Sequence, residues 1–136
     1  MKFYFGERSE YNLESCSFFV TSLLREALAL GIMDFAVIEG FRNEAKQNRL
    51  YESNKSKVKW PYGKHNCTPS KAADCVPWIN GRVSWNELHC CVLSGIIQSA
   101  ARILKLEIRW GGNWDRDGEP ITDQDFQDLV HYEEVE

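Results

Sequence analysis

The chain has 136 residues, which suits a single compact domain spanning 1–136 with a hydrophobic core of its own. Its hydrophobic fraction of 43% and aromatic fraction of 12% speak against a disordered chain. The net charge of −4 argues against broad electrostatic binding to nucleic acid or anionic lipid.

Apolar residues from Leu13 to Leu28 recur at helical spacing and predict one amphipathic helix over about residues 9–30, ended by Gly31. "DFAVIEGFR" reads as a strand with Phe35, Val37 and Glu39 on one face, and "NEAKQNRLYES" as a polar helix. A lysine-rich loop broken by Pro61 follows. "AADCVPWI" and "RVSW" read as two strands joined at Asn80-Gly81, a pair that tolerates the positive φ of a tight hairpin. Pro77, which cannot donate to a ladder, predicts an edge strand or a bulge there. Ser84 and Glu87 fit a capping box opening a helix to about Lys105, with Trp85, Leu88, Val92, Ile96 and Ile103 on its core face. "LEIRW" is a strand, "GGNWDRDGEPITDQD" a polar loop, and "DLVHYEEV" a closing strand. Helices and strands are intermixed and the hairpin is local, so the fold class is α+β with a mostly antiparallel sheet.

No apolar run is long enough to span a membrane. The first residues, "MKFYFGERSE", lack the apolar core and cleavage site of a secretory signal. Synthesis in a cytoplasm without export by the standard route is the expectation. The five cysteines, an odd number with no Cys-x-x-Cys pair, are expected as reduced thiols, with Cys90 and Cys91 in the core.

His65, Asp74 and His131 together supply two imidazoles and a carboxylate, a set that holds catalytic zinc with a fourth position left for water. Asp128 precedes His131 by three residues. Residues three apart in a regular strand face opposite ways, so Asp128 requires a loop or bulge to reach the same site. Spacing alone favours structural histidines, since a given histidine is more often structural than a ligand.

The blocks "KFYFGERSE", "DFAVIEGFR", "KH", "AADCVPWINGRVSWNEL", "RWGGNWD" and "DLVH" change that balance. In order and spacing they resemble the small zinc peptidases related to D-Ala-D-Ala carboxypeptidases. The resemblance is to the single-domain phage endolysins acting as L-alanyl-D-glutamate peptidases, and it covers nearly the whole chain. It implies the hedgehog/D-Ala-D-Ala peptidase-like fold, one zinc held by His65, Asp74 and His131, Asp128 as catalytic base, and Arg42 gripping the substrate carbonyl. The family's Ser-x-His and Gly-x-Ala-x-Asp read Gly63-Lys64-His65 and Ser70-Lys71-Ala72-Ala73-Asp74 here, with a His-to-Asp gap about two residues longer. The usual Gly-Gly of its Asp-x-x-His is Leu129-Val130, residues that resist conformations open to glycine.

The implied substrate is the peptide stem of bacterial peptidoglycan, cut at L-Ala-D-Glu by a monomer that reaches the wall once the membrane is permeabilised. A D-Ala-D-Ala carboxypeptidase or dipeptidase, or an inactive wall-binding module of the same fold, are the alternatives. Trp110, Trp114 and Tyr62 are candidates to line the substrate groove, whereas Trp85 is expected in the core and His89 in a structural role. The acidic loop 115–125 could hold a regulatory calcium but does not match the EF-hand pattern. Cys67 and Cys75 lie beside the ligands, with Cys75 expected to face away from Asp74.

Overall fold

A computed structural model describes residues 1–135. Four helices, α1 (Glu7–Glu14), α2 (Phe18–Ala29), α3 (Glu44–Glu52) and α4 (Glu87–Leu104), accompany five strands. These are β1 (Phe35–Glu39), β2 (Ala72–Ile79), β3 (Arg82–Val83), β4 (Ile108–Gly111) and β5 (Asp128–Glu134), with a single 3-10 turn at Lys64–Asn66. The sheet runs β1-β2-β5-β4 with β3 on the far end of β2, and every pairing is antiparallel. This is the α+β architecture expected. No described helix is long and apolar enough to cross a membrane.

The first predicted helix is two. Ser17 caps α2 by accepting from the amide of Val20, and Ser15 and Ser17 exchange backbone hydrogen bonds with Ser70. A helix cannot continue through residues whose amides serve another segment. The junction therefore anchors the chain just before β2.

α4 turns a different face inward than expected. Leu88 is 76% and Trp85 61% exposed, and Val92 and Ile103 also face solvent, while Cys90, Leu93, Ile97, Ala100 and Ala101 are buried with Ile96. The small side chains let α4 approach β2 and α2 closely, and that packing selects the face. Cys91 is only half-buried at its edge. The helix is capped by Asn86, not by the expected Ser84–Glu87 box: Asn86 Oδ1 accepts from the amides of Leu88 and His89. Ser84 Oγ instead lies 2.7 Å from His89 Nδ1.

Asn80 and Gly81 turn the β2–β3 hairpin with φ of 53° and 78°. Pro77 lies in a strand flanked by both β1 and β5, not at an edge. It falls beyond the stretch Ala72–Asp74 that β5 reaches, so no ladder bond is lost there.

Candidate metal centre

Two bulges bring polar side chains to one face of the sheet. In β1 the register with β2 slips between Val37 and Glu39. Val37 pairs with Cys75, and both are core residues, whereas Glu39 pairs with Asp74 instead of sharing the face of Val37 as expected. In β5 the partner of Trp110 is Tyr132, but that of the next residue, Gly111, is Asp128. Leu129 to His131 are therefore extra residues on the β5 side. They break the strict alternation that would separate Asp128 from His131. The indole of Trp110 donates to Leu129 O at 2.8 Å and satisfies the bulge. Neither Leu129 nor Val130 has a positive φ. A glycine is required in the facing strand, where a Cβ on Gly111 would collide with Asp128 O.

His131 pairs with Asp74 across the β5–β2 ladder, and His65 joins them from the 3-10 turn. His65 Nε2 is 3.2 Å from Asp74 Oδ1 and 3.2 Å from His131 Nδ1, which is 3.4 Å from the same carboxylate oxygen. The outer ring nitrogens are committed. His65 Nδ1 donates to Gly40 O at 2.7 Å, and His131 Nε2 donates to Glu133 Oε1 at 2.8 Å. Both partners only accept, so a ring carrying a single proton keeps it on the outer nitrogen and turns its lone pair inward. With both rings in that form, three buried electron-rich atoms converge with no proton between them, an arrangement that asks for a cation. The residues fit a metal ion.

Without a metal, a proton takes its place. Burial works to lower the pKa of His131, but hydrogen bonds to Asp74 and Glu133 prevail and raise it to about 9. Burial works to raise Asp74, yet the two histidines hold it far below the ordinary carboxylate range. Glu133 is likewise kept below its usual value by His131 and by Arg109, 3.2 Å away, against the effect of burial. Asp128 goes the other way: burial and the nearby Asp74 carboxylate raise it, against His131, His65 and Arg42.

Arg42 stands over Asp74 with each guanidinium nitrogen engaged. Nε meets Glu39 Oε1 at 3.0 Å, Nη1 meets Gln47 Oε1 at 3.2 Å and Nη2 meets Asp74 Oδ2 at 3.4 Å. Gln47, 1% exposed at the end of this chain, also accepts from Asn66 and donates to Ser56 Oγ and Val58 O.

The site opens into a cleft of about 390 Å³. His65, His131, Asp128 and Arg42 line it, with Trp114 and Phe126 stacked on one wall and the 55–58 segment on the other. Of the aromatic candidates, Trp114 is in the cleft and its ring lies 5.5 Å from that of His131. Trp110, 4% exposed, belongs to the core, and Tyr62, 83% exposed, is not among the lining residues. Both depart from the expected groove because the β4 indole braces the β5 bulge and Tyr62 projects into solvent. Glu133, Glu39, Gln47 and Phe126 were not singled out in the sequence. Only Glu133 carried a signal, standing two residues from His131 and hence on its face of β5.

Cys75 is in the core and faces away from Asp74, and Cys67 lies half-buried beside the 3-10 turn. Asp115, Asp117 and Asp123 cluster at the surface, where Asp115 and Asp117 accept from backbone amides two residues on. These bonds shape the loop, and nothing beyond the clustering points to calcium.

The family model described as phage L-alanyl-D-glutamate peptidase matches residues 1–135. The L-alanyl-D-glutamate peptidase of Escherichia phage T5 is 29% identical over 120 residues, covering 88% of this chain and 87% of that protein. The crystal structure of the L-Ala D-Glu endopeptidase ChiX of Serratia marcescens superposes with a TM-score of 0.79 at 25% identity, covering 99% of this chain and 90% of that one.

Proposed function

We propose that this chain, which belongs to the phage L-alanyl-D-glutamate peptidase family, is a zinc endolysin that hydrolyses the L-Ala-D-Glu bond in the peptide stem of bacterial peptidoglycan. The observation that carries the reading is the buried triangle of His65 Nε2, Asp74 Oδ1 and His131 Nδ1. Ligands about 2.0–2.1 Å from a tetrahedral zinc lie roughly 3.3 Å apart, close to the observed edges of 3.2, 3.2 and 3.4 Å. Two imidazoles and one carboxylate are a zinc donor set with a fourth position open.

A bound zinc supplies Lewis acidity and a water acidic enough to be deprotonated near neutral pH. Asp128 accepts that proton at a carboxylate oxygen and delivers it to the amine leaving from D-Glu. In the metal-free protein burial and the Asp74 carboxylate raise its pKa, a direction that favours the accepting half of the transfer. Arg42, held by Glu39, Gln47 and Asp74, contributes a fixed positive charge against the negative charge growing on the L-Ala carbonyl oxygen. Trp114 gives the stem an apolar wall. All these residues come from one chain, which supports action as a monomer. The enzyme meets its substrate after release from the host cytoplasm through a permeabilised membrane.

The test is digestion of purified peptidoglycan with and without a chelator, reading new amino termini by mass. Chelator-sensitive release of termini at D-Glu, reduced at least about a thousandfold in Asp128→Asn while zinc remains bound, is the expected result. New ends at D-Ala would reassign the bond, and zinc binding without cleavage would make the chain a wall-binding module.

A further inference from the structure

The bond read above has a distinctive neighbour. D-Glu carries two carboxyl groups, only one continues the stem, and the other is left as an acid on the residue whose amine is released. An anion held in the cleft calls for a cation there, and Arg42, bound to Glu39, Gln47 and Asp74 over the metal ligands, is already given to the carbonyl under attack.

Lys55, Lys57 and Lys64 all line the cleft, and Lys57 is the one whose ammonium is placed over an aromatic ring of its wall. Lys57 holds that ammonium 5.6 Å from the centroid of the Phe126 ring on the opposite wall. Among the described residues its side chain forms no ion pair. The backbone that presents it is fixed from below: the buried Gln47 donates to Ser56 Oγ at 3.0 Å and to Val58 O at 2.6 Å, on either side of Lys57. The same Gln47 accepts from Arg42. One buried amide thus ties the lysine-bearing wall to the arginine over the metal ligands. A cation resting on an aromatic face keeps its capacity to donate to an incoming anion.

We propose that Lys57 is the subsite for the free carboxylate of D-Glu, making this a peptidase that prefers the acid stem over one whose D-Glu carboxylate is amidated. The inference rests on the L-Ala-D-Glu reading. It differs from the expected role of Arg42, which concerns the carbonyl under attack.

The experiment compares kcat/KM of the zinc-loaded full chain on two synthetic stem peptides, identical but for acid or amide at that carboxyl. The wild type favours the acid on the order of tenfold, and Lys57→Gln brings the ratio close to one through KM for the acid. Lys57→Glu reverses the preference. Lys59→Gln, whose ammonium sits over Tyr51, leaves the ratio at its wild-type value. An acid preference that survives Lys57→Gln, or a wild type indifferent to amidation, would overturn the subsite while D-Glu termini kept the assigned bond intact. Termini elsewhere would overturn both.

Discussion

At the scale of single residues, the centre is organised by groups outside the ligand set. Gly40 O and Glu133 fix which nitrogen of each imidazole looks inward, and Arg109 holds Glu133. Outer partners of this kind typically set metal affinity by ten- to a hundredfold. Glu133→Gln should therefore weaken zinc binding by about that factor in a competition titration against a chromogenic chelator, with the fold intact by circular dichroism. Unchanged affinity would mean that His131 needs no such partner. The proton on His131 in the metal-free protein gives a second expectation. With a pKa raised to about 9, that imidazole is charged at pH 7 and must lose its proton to become a ligand. Calorimetry of zinc binding at pH 7 in buffers of different ionisation enthalpy should report release of about one proton from this residue, shrinking as pH passes 9. The ligands themselves were legible in the sequence, because few side chains have that donor chemistry. The outer partners were not, since a glutamate two residues from a histidine is common and a backbone carbonyl leaves no trace.

At the scale of elements, irregularity in the strands builds the site. The β5 bulge brings Asp128 beside His131, and the slip in β1 brings Glu39 beside Asp74. The sequence indicated that Asp128 required some such device, because a three-residue spacing fails in a regular strand. It could not say that glycine was needed in β4 and not in the Asp-x-x-His segment. Gly111→Ala tests this: its Cβ meets Asp128 O, so the base must move. A loss of at least about tenfold in kcat with bound zinc retained is expected, because small misplacements of a reacting group are costly. Full activity would show that the bulge relaxes harmlessly. α3 was legible as the polar helix of "NEAKQNRLYES", and the structure adds the cap at Asn43. A helix was misread where two faces were both apolar. In α4 the bulky stripe of Leu88, Val92 and Ile103 looked like the core, yet the face with Cys90, Ala100 and Ala101 packs inside. Periodicity reports that a face is apolar, but the closeness of approach to β2 and α2 decides which one is buried. The break at Ser15–Ser17 has no local signal, because it is imposed by Ser70, more than fifty residues away in sequence.

At the scale of the whole molecule, the three ligands come from a turn, a central strand and the last strand, so the centre joins segments distant in sequence. Occupancy by a metal should then be a large part of folding stability. For an ion present at about a hundred times its Kd, binding adds roughly 2.7 kcal/mol, or about 5–10 °C in Tm for a domain of this size. The metal-free protein should also respond to pH in a way the loaded one does not. The pKa of His131 is raised on folding, from an ordinary 6.5 to about 9. Its contribution is therefore complete below about 6.5 and lost as pH rises through 9. Across that window the chelated protein should lose on the order of 2–3 kcal/mol in urea unfolding. The zinc-loaded protein should lose much less there, because the ion occupies the place of the proton. His131→Asn, which removes both ligand and proton site, should flatten the pH response and abolish the gain in Tm from zinc. A chelated protein equally stable at pH 6.5 and 9 would mean that the His131–Asp74–Glu133 cluster does not hold its proton in the folded chain. An unchanged Tm on adding zinc would remove the link between the centre and the fold.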